Sequence, residues 1–226
     1  MFIALDGGDG AGKGVQIEFL KRWLAERGLD FVFVRDPGDT PLGDIIRSLL
    51  LKNSAIDICP LAEAALFMAS RAQLVQEIIE PALETGKVVL VDRYLLSTVV
   101  YQGYANDATE EEIATLWRIG TVFTKGILPD VTFILDCPSE VCNERLSRDR
   151  DRIEARGIKF HSKVAQGYRQ AAQTWNQYAR GEVFVIDATL TPQEVFNKIK
   201  AILESRVPKK SKINRKKKPP SRCFSE

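Results

Sequence analysis

Apolar positions cluster along the chain in two alternating rhythms. Five short β-branched runs recur at Phe2 to Asp6, Asp30 to Val34, Val88 to Asp92, Val131 to Asp136 and Val183 to Asp187. Each is followed by a stretch with helical apolar spacing or turn residues. Val15 to Glu26 is the clearest, with Val15, Phe19, Leu20, Trp23 and Leu24 on one face and a stop at Gly28. Further helices are predicted over Leu61 to Glu84, with Pro81 marking a break near its end, then Leu95 to Gly103, Thr109 to Thr121, Ser139 to Arg148, Val164 to Tyr178 and Pro192 to Glu204. Strands alternating with helices predict βαβ units and a mostly parallel five-stranded sheet wrapped by helices. Four of the five apolar runs end in a carboxylate, at Asp6, Asp92, Asp136 and Asp187. Ligands gather at the carboxyl ends of strands in such sheets, so these tips are expected to face one crevice.

The first strand runs into Gly7-Gly8-Asp9-Gly10-Ala11-Gly12-Lys13. This is the G-x-x-x-x-G-K phosphate loop, in which glycines let backbone N–H groups curl around phosphate oxygens and the lysine reaches the β and γ groups. The helix that follows adds its dipole and free N–H groups. The position after the lysine is Gly14, followed by Val15, where the pattern has a hydroxyl that ligates Mg²⁺. A glycine turn joining a strand to a helix is the plainer alternative.

At 226 residues, 45% hydrophobic and 27% charged, the chain suits one α/β domain with a core of its own. The net charge of +2 hides an asymmetry: residues 208 to 226 carry +7, so the preceding 207 carry about −5. The expected organisation is a folded domain over 1–207 with a small lid near 147–162, and a basic disordered tail over 208–226. Weak nucleic-acid contact through that tail is one reading, and a solvated appendage is the favoured one. Cysteines at 59, 137, 142 and 223 lack paired C-x-x-C spacing and read as reduced thiols. With no signal segment and no apolar run near the ~20 residues that span a bilayer, a cytoplasmic protein is expected.

Three further constellations carry chemistry. Asp92-Arg93-Tyr94 emerges at a strand tip, where an aspartate can hold Mg²⁺, often through water, and an arginine can bind phosphate bidentately. Alone, the tripeptide better describes a salt-bridged loop. Phe67 and Arg71 lie four apart on a helix, a ring beside a donor fork that could stack on and identify a base, or a core residue with a rim charge. Arg145, Arg148, Arg150, Arg152 and Arg156, interleaved with Asp149, Asp151 and Glu154, suggest a segment that closes over polyphosphate, or a solvated charged helix.

In this order the motifs resemble those of the thymidylate kinase family, across residues 1 to about 204. The matching stretches are Gly7 to Lys13; Arg35-Asp36-Pro37-Gly38-Asp39-Thr40; Arg47 to Leu51; Phe67 with Arg71 and Gln73; Asp92-Arg93-Tyr94 with Ser97-Thr98 and Tyr101-Gln102-Gly103; Pro129-Asp130 before Leu135-Asp136; Asp151 to Glu154 with Tyr168; and Ile186 to Thr189. The resemblance implies a P-loop NTPase-type fold with an Arg-rich lid, and transfer of the ATP γ-phosphoryl group to dTMP with Mg²⁺. ATP would lie on Gly7, Gly8, Asp9, Gly10, Ala11, Gly12, Lys13 and Gly14. It further implies that Phe67 stacks on thymine, that Arg71 bonds its O4, and that Thr98, Tyr101 and Gln102 border base and sugar. Asp9 would face the deoxyribose 3′-hydroxyl, Arg93 the acceptor phosphate, and Arg35 and Arg47 its surroundings. Lys13, Asp92, Arg93 and the lid arginines Arg148, Arg150 and Arg152 would be catalytic, with Asp92 on the metal. Family members are typically homodimers. The sequence departs from the family at Gly14 and Val15, at Asp36 for Glu and at Asp39 for Gly. These departures keep open a related kinase with another acceptor, or a nucleotide-binding protein impaired in catalysis. His161 falls in no partner pattern and receives no role.

Overall fold

The computed structural model describes residues 1–52, 56–146 and 151–207. The strands are β1 (Phe2–Gly7), β2 (Phe31–Arg35), β3 (Val88–Asp92), β4 (Val131–Asp136) and β5 (Glu182–Asp187). They form one sheet in the order β2-β3-β1-β4-β5, and every pairing is parallel. The sheet is thus wholly rather than mostly parallel.

The central strands β1, β3 and β4 read as continuous apolar runs because both faces are covered, while the edge strands β2 and β5 are only partly buried. Phe2, Ala4, Val89, Val91 and Ile134 point to one side, while Ile3, Leu5, Val88, Leu90, Phe133 and Leu135 point to the other, the period of two expected of a pleated strand. On the second side lie α1 (Lys13–Glu26), through Ile17, Leu20 and Leu24, and α10 (Pro192–Leu203), through Val195, Ile199 and Leu203. On the first lie α3 (Pro60–Leu74), α4 (Glu80–Glu84), α5 (Leu95–Thr98), α6 (Glu110–Phe123), α8 (Ile158–Gln173) and α9 (Trp175–Tyr178). α2 (Pro41–Leu51) packs on α3, and α7 (Ser139–Arg145) on α8.

Several helix boundaries differ from the sequence expectation. Pro81 does not break its helix. A π-helical turn over Val75–Ile79 joins α3 to α4, and Pro81 sits in the opening turn of α4, where a missing N–H costs least. A second π-helical turn, Val99–Gly103, extends α5 toward the site. The helix placed at Val164 begins six residues earlier at Ile158 and stops at Gln173, with Trp175–Tyr178 a separate turn. Thr109 stands outside α6 as its cap, in a capping box with Glu112. α2 has no counterpart among the expected helices. Its signals are local: Thr40 accepts from the Gly43 N–H at 3.0 Å, Pro41 opens the helix and Asp44 lies in its first turn.

The lid expected at 147–162 is described from Asp151 onward. It comprises a 3-10 turn at Glu154–Arg156 and the first turn of α8. Residues 147–150 and the basic tail lie outside the described residues, as does Cys223. Cys59, Cys137 and Cys142 are free thiols. No described helix is long and apolar enough to cross a membrane.

Candidate active site

The loop between β1 and α1 is built from conformations that glycine supplies. Gly7, Gly10 and Gly12 have φ of 138°, 84° and 92°. At Gly10 a side chain is excluded twice over, since a Cβ there would stand 2.2 Å from the Cys142 carbonyl oxygen. Lys13 opens α1, and its Nζ donates to the carbonyls of Gly7 at 3.0 Å and Gly8 at 2.9 Å. The lysine is therefore folded back over its own loop, its charge at the mouth of a helix N-terminus.

Register puts the neighbouring strand tips beside this loop: Leu5 pairs with Asp92, and Asp92 with Arg35. Just past β3, Arg93 adopts φ 66°, a left-handed conformation uncommon for a residue with a side chain and one that clusters at functional sites. From there Nη1 donates to the Gly7 carbonyl at 2.8 Å and to Ser97 Oγ and Tyr168 Oη at 3.1 Å each. Nη2 reaches Asp9 Oδ1 at 2.5 Å and Tyr101 Oη at 3.2 Å. Tyr101 Oη donates to the other Asp9 oxygen at 2.8 Å.

A second buried ion pair lies across the cavity. Arg71, 1% exposed, donates through Nε to Asp36 Oδ2 at 2.5 Å, and through Nη2 to Thr98 Oγ1 at 2.9 Å and the Tyr94 carbonyl at 3.2 Å. Desolvation pushes the Asp36 carboxyl up against the pull of Arg71. Arg47 donates to the Pro37 carbonyl at 2.7 Å. Arg35 is clamped by Asp39, through Nε at 3.1 Å and Nη2 at 2.7 Å. Asp39 itself takes φ 58°, a left-handed conformation that aspartate tolerates better than most side chains.

These groups surround one cavity of about 740 Å³. All nine residues expected at the acceptor, Asp9, Arg35, Arg47, Phe67, Arg71, Arg93, Thr98, Tyr101 and Gln102, line it, together with Asp92 and the loop from Asp9 to Gly14. At its other end stand Arg145, one of the clustered arginines, and Ala188, from the stretch Ile186 to Thr189. There Arg145 donates to the Ala188 carbonyl at 2.9 Å and Gln16 to the Pro192 carbonyl at 2.9 Å, beside Leu190 and Val195. Gln16, Leu190 and Val195 at this end carried no sequence signal, though Gln16 lies three residues past Lys13 in the first turn of α1.

Not every expected tip or arginine reaches the cavity. Of the four strand-end carboxylates only Asp92 lines it. Asp6 is fully buried beneath the loop and accepts from Ser97 Oγ at 2.5 Å, Asp136 pairs with Arg169 at 3.0 Å, and Asp187 holds Thr189. The strands converge, but alternation turns some of their last side chains away. Arg152 is engaged with the buried Glu63 at 2.6 Å and with the Leu50 carbonyl at 2.9 Å. Arg148 and Arg150 lie outside the described residues. His161 Nε2 meets the Glu154 carbonyl at 3.0 Å.

A metal-binding cage of three or more His, Cys, Asp or Glu is absent among the described residues. Asp92 Oδ1 is buried and has no hydrogen-bond partner among them. A hard oxygen left unpaired beside a phosphate loop fits Mg²⁺, which keeps most of its water and takes one or two carboxylates plus phosphate oxygens.

A glycine loop at a helix N-terminus, facing a cation-lined cavity at the switch point of a parallel sheet, is the site of a P-loop nucleotide-binding enzyme. A family model described as thymidylate kinase matches residues 5–199. The chain is 41% identical over 216 residues to a thymidylate kinase of Chlorobaculum parvum, which covers 91% of this chain and 96% of that one. It is 40% identical over 205 residues to one of Thermosipho africanus, 90% and 98% covered, and 37% identical over 201 residues to one of Kosmotoga olearia, 88% and 93% covered. The chain belongs to the thymidylate kinase family.

The two loop-side carboxyls titrate in opposite directions. For Asp9, desolvation is outweighed by the Arg93 and Lys13 charges, and its pKa falls from 3.8 to about 2. It contributes stability present above its unfolded pKa and lost as pH falls through the folded one. For Asp6, desolvation dominates the Ser97 bond and the Arg93 charge, and its pKa rises from 3.8 to about 6. Between those values the folded chain holds a proton that the unfolded chain has released, so this group's contribution falls as pH rises. Asp6→Asn is expected to gain on the parent by about 2 kcal/mol between pH 4 and pH 7, at 1.36 kcal/mol per pKa unit. Urea unfolding at intermediate pH values checks this, and a pH-independent difference between the two proteins would contradict it.

Proposed function

We propose that this crevice transfers the γ-phosphoryl group of ATP to the 5′-phosphate of dTMP, giving ADP and dTDP for dTTP synthesis. The observation that carries the reading is the convergence of the nine acceptor-side residues, drawn from separate stretches of the chain, on one cavity with the phosphate loop at its centre.

A monophosphate acceptor is already an anion near neutral pH, so the reaction calls for charge neutralisation and alignment rather than a general base. Lys13 and the α1 N-terminus serve the donor phosphates. Arg93, Arg47 and Arg35 surround the acceptor phosphate. Phe67 offers a ring for stacking on thymine, and Arg71, fixed by Asp36 and Thr98, presents its fork to the base edge. Asp9 and Tyr101 border the deoxyribose. Arg148 and Arg150 are proposed as transition-state cations, while Arg152, paired with Glu63 and absent from the cavity lining, holds the 151–156 segment in place. Arg145, Ala188, Leu190 and Pro192 form the opposite end, which suits the adenine of ATP. Asp92 would hold Mg²⁺ through water, and the ion's charge would offset that of the β and γ phosphates when bound.

The proposed partner is a second copy of the chain. Leu42, Ile45 and Leu49 share a face of α2 at spacings of three and four, and all are exposed. Leu61 on α3 and Ile119, Val122 and Phe123 on α6 are exposed as well, and α3 packs on both α2 and α6. An apolar layer of this kind suits an isologous contact. The cytoplasm is the proposed place of work, consistent with the three free thiols. The basic tail adds no contact to this reading.

Three measurements test it. ATP-dependent ADP production is expected with dTMP well above dUMP, dGMP, AMP, UMP or thymidine, and Lys13→Ala should abolish it; turnover surviving that change, or no turnover with dTMP, would refute the reading. A Cβ at Gly14 meets no atom within 4 Å, so Gly14→Ser restores the missing hydroxyl without a clash. It should lower the Mg²⁺ concentration giving half-maximal rate, and an unchanged value would mean that Asp92, water and phosphates already suffice. Light scattering should give twice the monomer mass, reduced to one by Ile45→Glu with Val122→Glu; a monomeric parent would refute the dimer.

A further inference from the structure

Glu63 is a charged side chain with 1% exposure, on the first turn of α3, outside every motif described above. Three groups converge on it. Arg152 Nη2 lies 2.6 Å from Oε1, Arg156 Nη1 3.5 Å from Oε2, and Gln102 Nε2 donates to Oε2 at 3.1 Å. A carboxylate removed from water is costly unless paired, and here its partners come from two places that matter to the site. Arg152 and Arg156 belong to the segment whose Asp151, Ile153 and Glu154 line the cavity, and Gln102 lines it from the end of the α5 extension.

The rest of that segment is held along the same seam. The Arg152 N–H donates to the Leu51 carbonyl at 3.0 Å and its Nε to the Leu50 carbonyl at 2.9 Å. Asp151 Oδ1 accepts from the N–H groups of Ile153 and Glu154 at 2.9 Å each. Arg156 lies over the Phe160 ring, 4.1 Å from its centroid. Gln102 has only one amide orientation that suits a carboxylate, N–H toward Glu63. That leaves its Oε1 without a hydrogen-bond partner among the described residues. The carboxylate therefore fixes both the orientation of the Gln102 amide and where the 151–156 segment sits.

We propose that Glu63 is a positioning residue for the acceptor half of the reaction, joining the Arg152–Arg156 segment and the Gln102 amide into one wall of the acceptor pocket. It touches no substrate and acts through these partners. The functional arm rests on the dTMP reading above; the anchoring arm does not. Nothing in the arrangement reaches the donor end, where Arg145, Gln16 and Ala188 lie.

Glu63→Gln and Arg152→Gln, singly and together, test this by two readouts. The first is the KM for dTMP and for ATP in the full-length enzyme. The second is amide hydrogen exchange of residues 151–157 without nucleotide. Glu63→Gln should raise the dTMP KM by about tenfold or more, in line with the cost of small misplacements near a reacting group, with the ATP KM unchanged. It should also speed exchange in 151–157 while the β-strands stay protected. The double variant should be little worse than Glu63→Gln, because both changes break one link. Unchanged dTMP KM and exchange would overturn the proposal. So would equal rises in both KM values with loss of protection throughout, the mark of a merely structural role. If Glu63→Gln does not fold, Arg152→Gln, whose side chain is 17% exposed, decides by the same two readouts. If the parent protein does not use dTMP, the exchange result still upholds or overturns the anchor, separating its failure from that of the substrate reading.

Discussion

Arg93 leaves β3 in a left-handed conformation, φ 66°, and its guanidinium then meets the phosphate loop, the α5 extension and α8 together. Without that backbone turn the side chain would continue the strand's alternation and miss the Gly7 carbonyl. The turn is secured by the Arg93 N–H, which donates to the Leu5 carbonyl at 2.9 Å and so continues the β1–β3 ladder one residue past the strand. Sheet pairing thus sets the position of the cation, and the cation sets the spacing between loop and helices. Asp6, Ser97 and Tyr168 complete the same network from below, with Ser97 and Tyr168 oxygens 2.7 Å apart. The site is a consequence of where two central parallel strands end.

The cations that would meet phosphate are partnered within the protein. Lys13 lies on loop carbonyls, Arg93 on Asp9, Arg35 on Asp39 and Arg47 on the Pro37 carbonyl. Binding an anion at any of them exchanges one charge-assisted contact for another, so the gain is the difference between partners rather than the full attraction. The backbone carbonyl partners of Lys13 and Arg47 are neutral and yield readily to phosphate. Carboxylate partners hold harder, and those of Arg93 and Arg35 carry formal charge. This ordering gives Asp39 a specific electrostatic weight, because it places a negative charge on a guanidinium at the cavity wall.

What was legible in the sequence follows from what a single segment can encode. The three central strands stood out because burial on both faces leaves continuous apolar runs, and the edge strands β2 and β5 through their β-branched residues. The phosphate loop stood out because its glycines are demanded by backbone conformation. The acceptor residues were legible only through their joint resemblance to a family, since Phe67 with Arg71 or Asp92-Arg93-Tyr94 alone describe ordinary helices and loops. α2 escaped because its apolar positions lie on both sides of the helix, with Ile46 and Leu50 buried and Leu42, Ile45 and Leu49 exposed, so no single apolar face stands out. The strand-tip rule misled for Asp136 and Asp187, since sharing a sheet edge does not decide which way a side chain points. The pairing of Glu63 with Arg152 was beyond a linear reading: it spans 89 positions, and an acidic residue in the first turn of a helix has an ample local explanation in the helix dipole.

The departure at Gly14 can be weighed against the loop's construction. The conformations that cradle phosphate are supplied by Gly7, Gly10 and Gly12, and the lysine is placed by the start of α1 and by the Gly7 and Gly8 carbonyls. Residue 14 contributes a side chain to none of these. Its φ lies outside the left-handed region, and a Cβ there would enter open space. The substitution therefore removes one oxygen ligand without disturbing the backbone that binds phosphate. The unpaired Asp92 Oδ1 sits at the tip of the strand next to β1 and retains a hard donor for a hydrated cation. Nucleotide binding and metal placement are separable properties of this loop, because the first resides in its backbone and the second in side chains that can be supplied from a neighbouring strand.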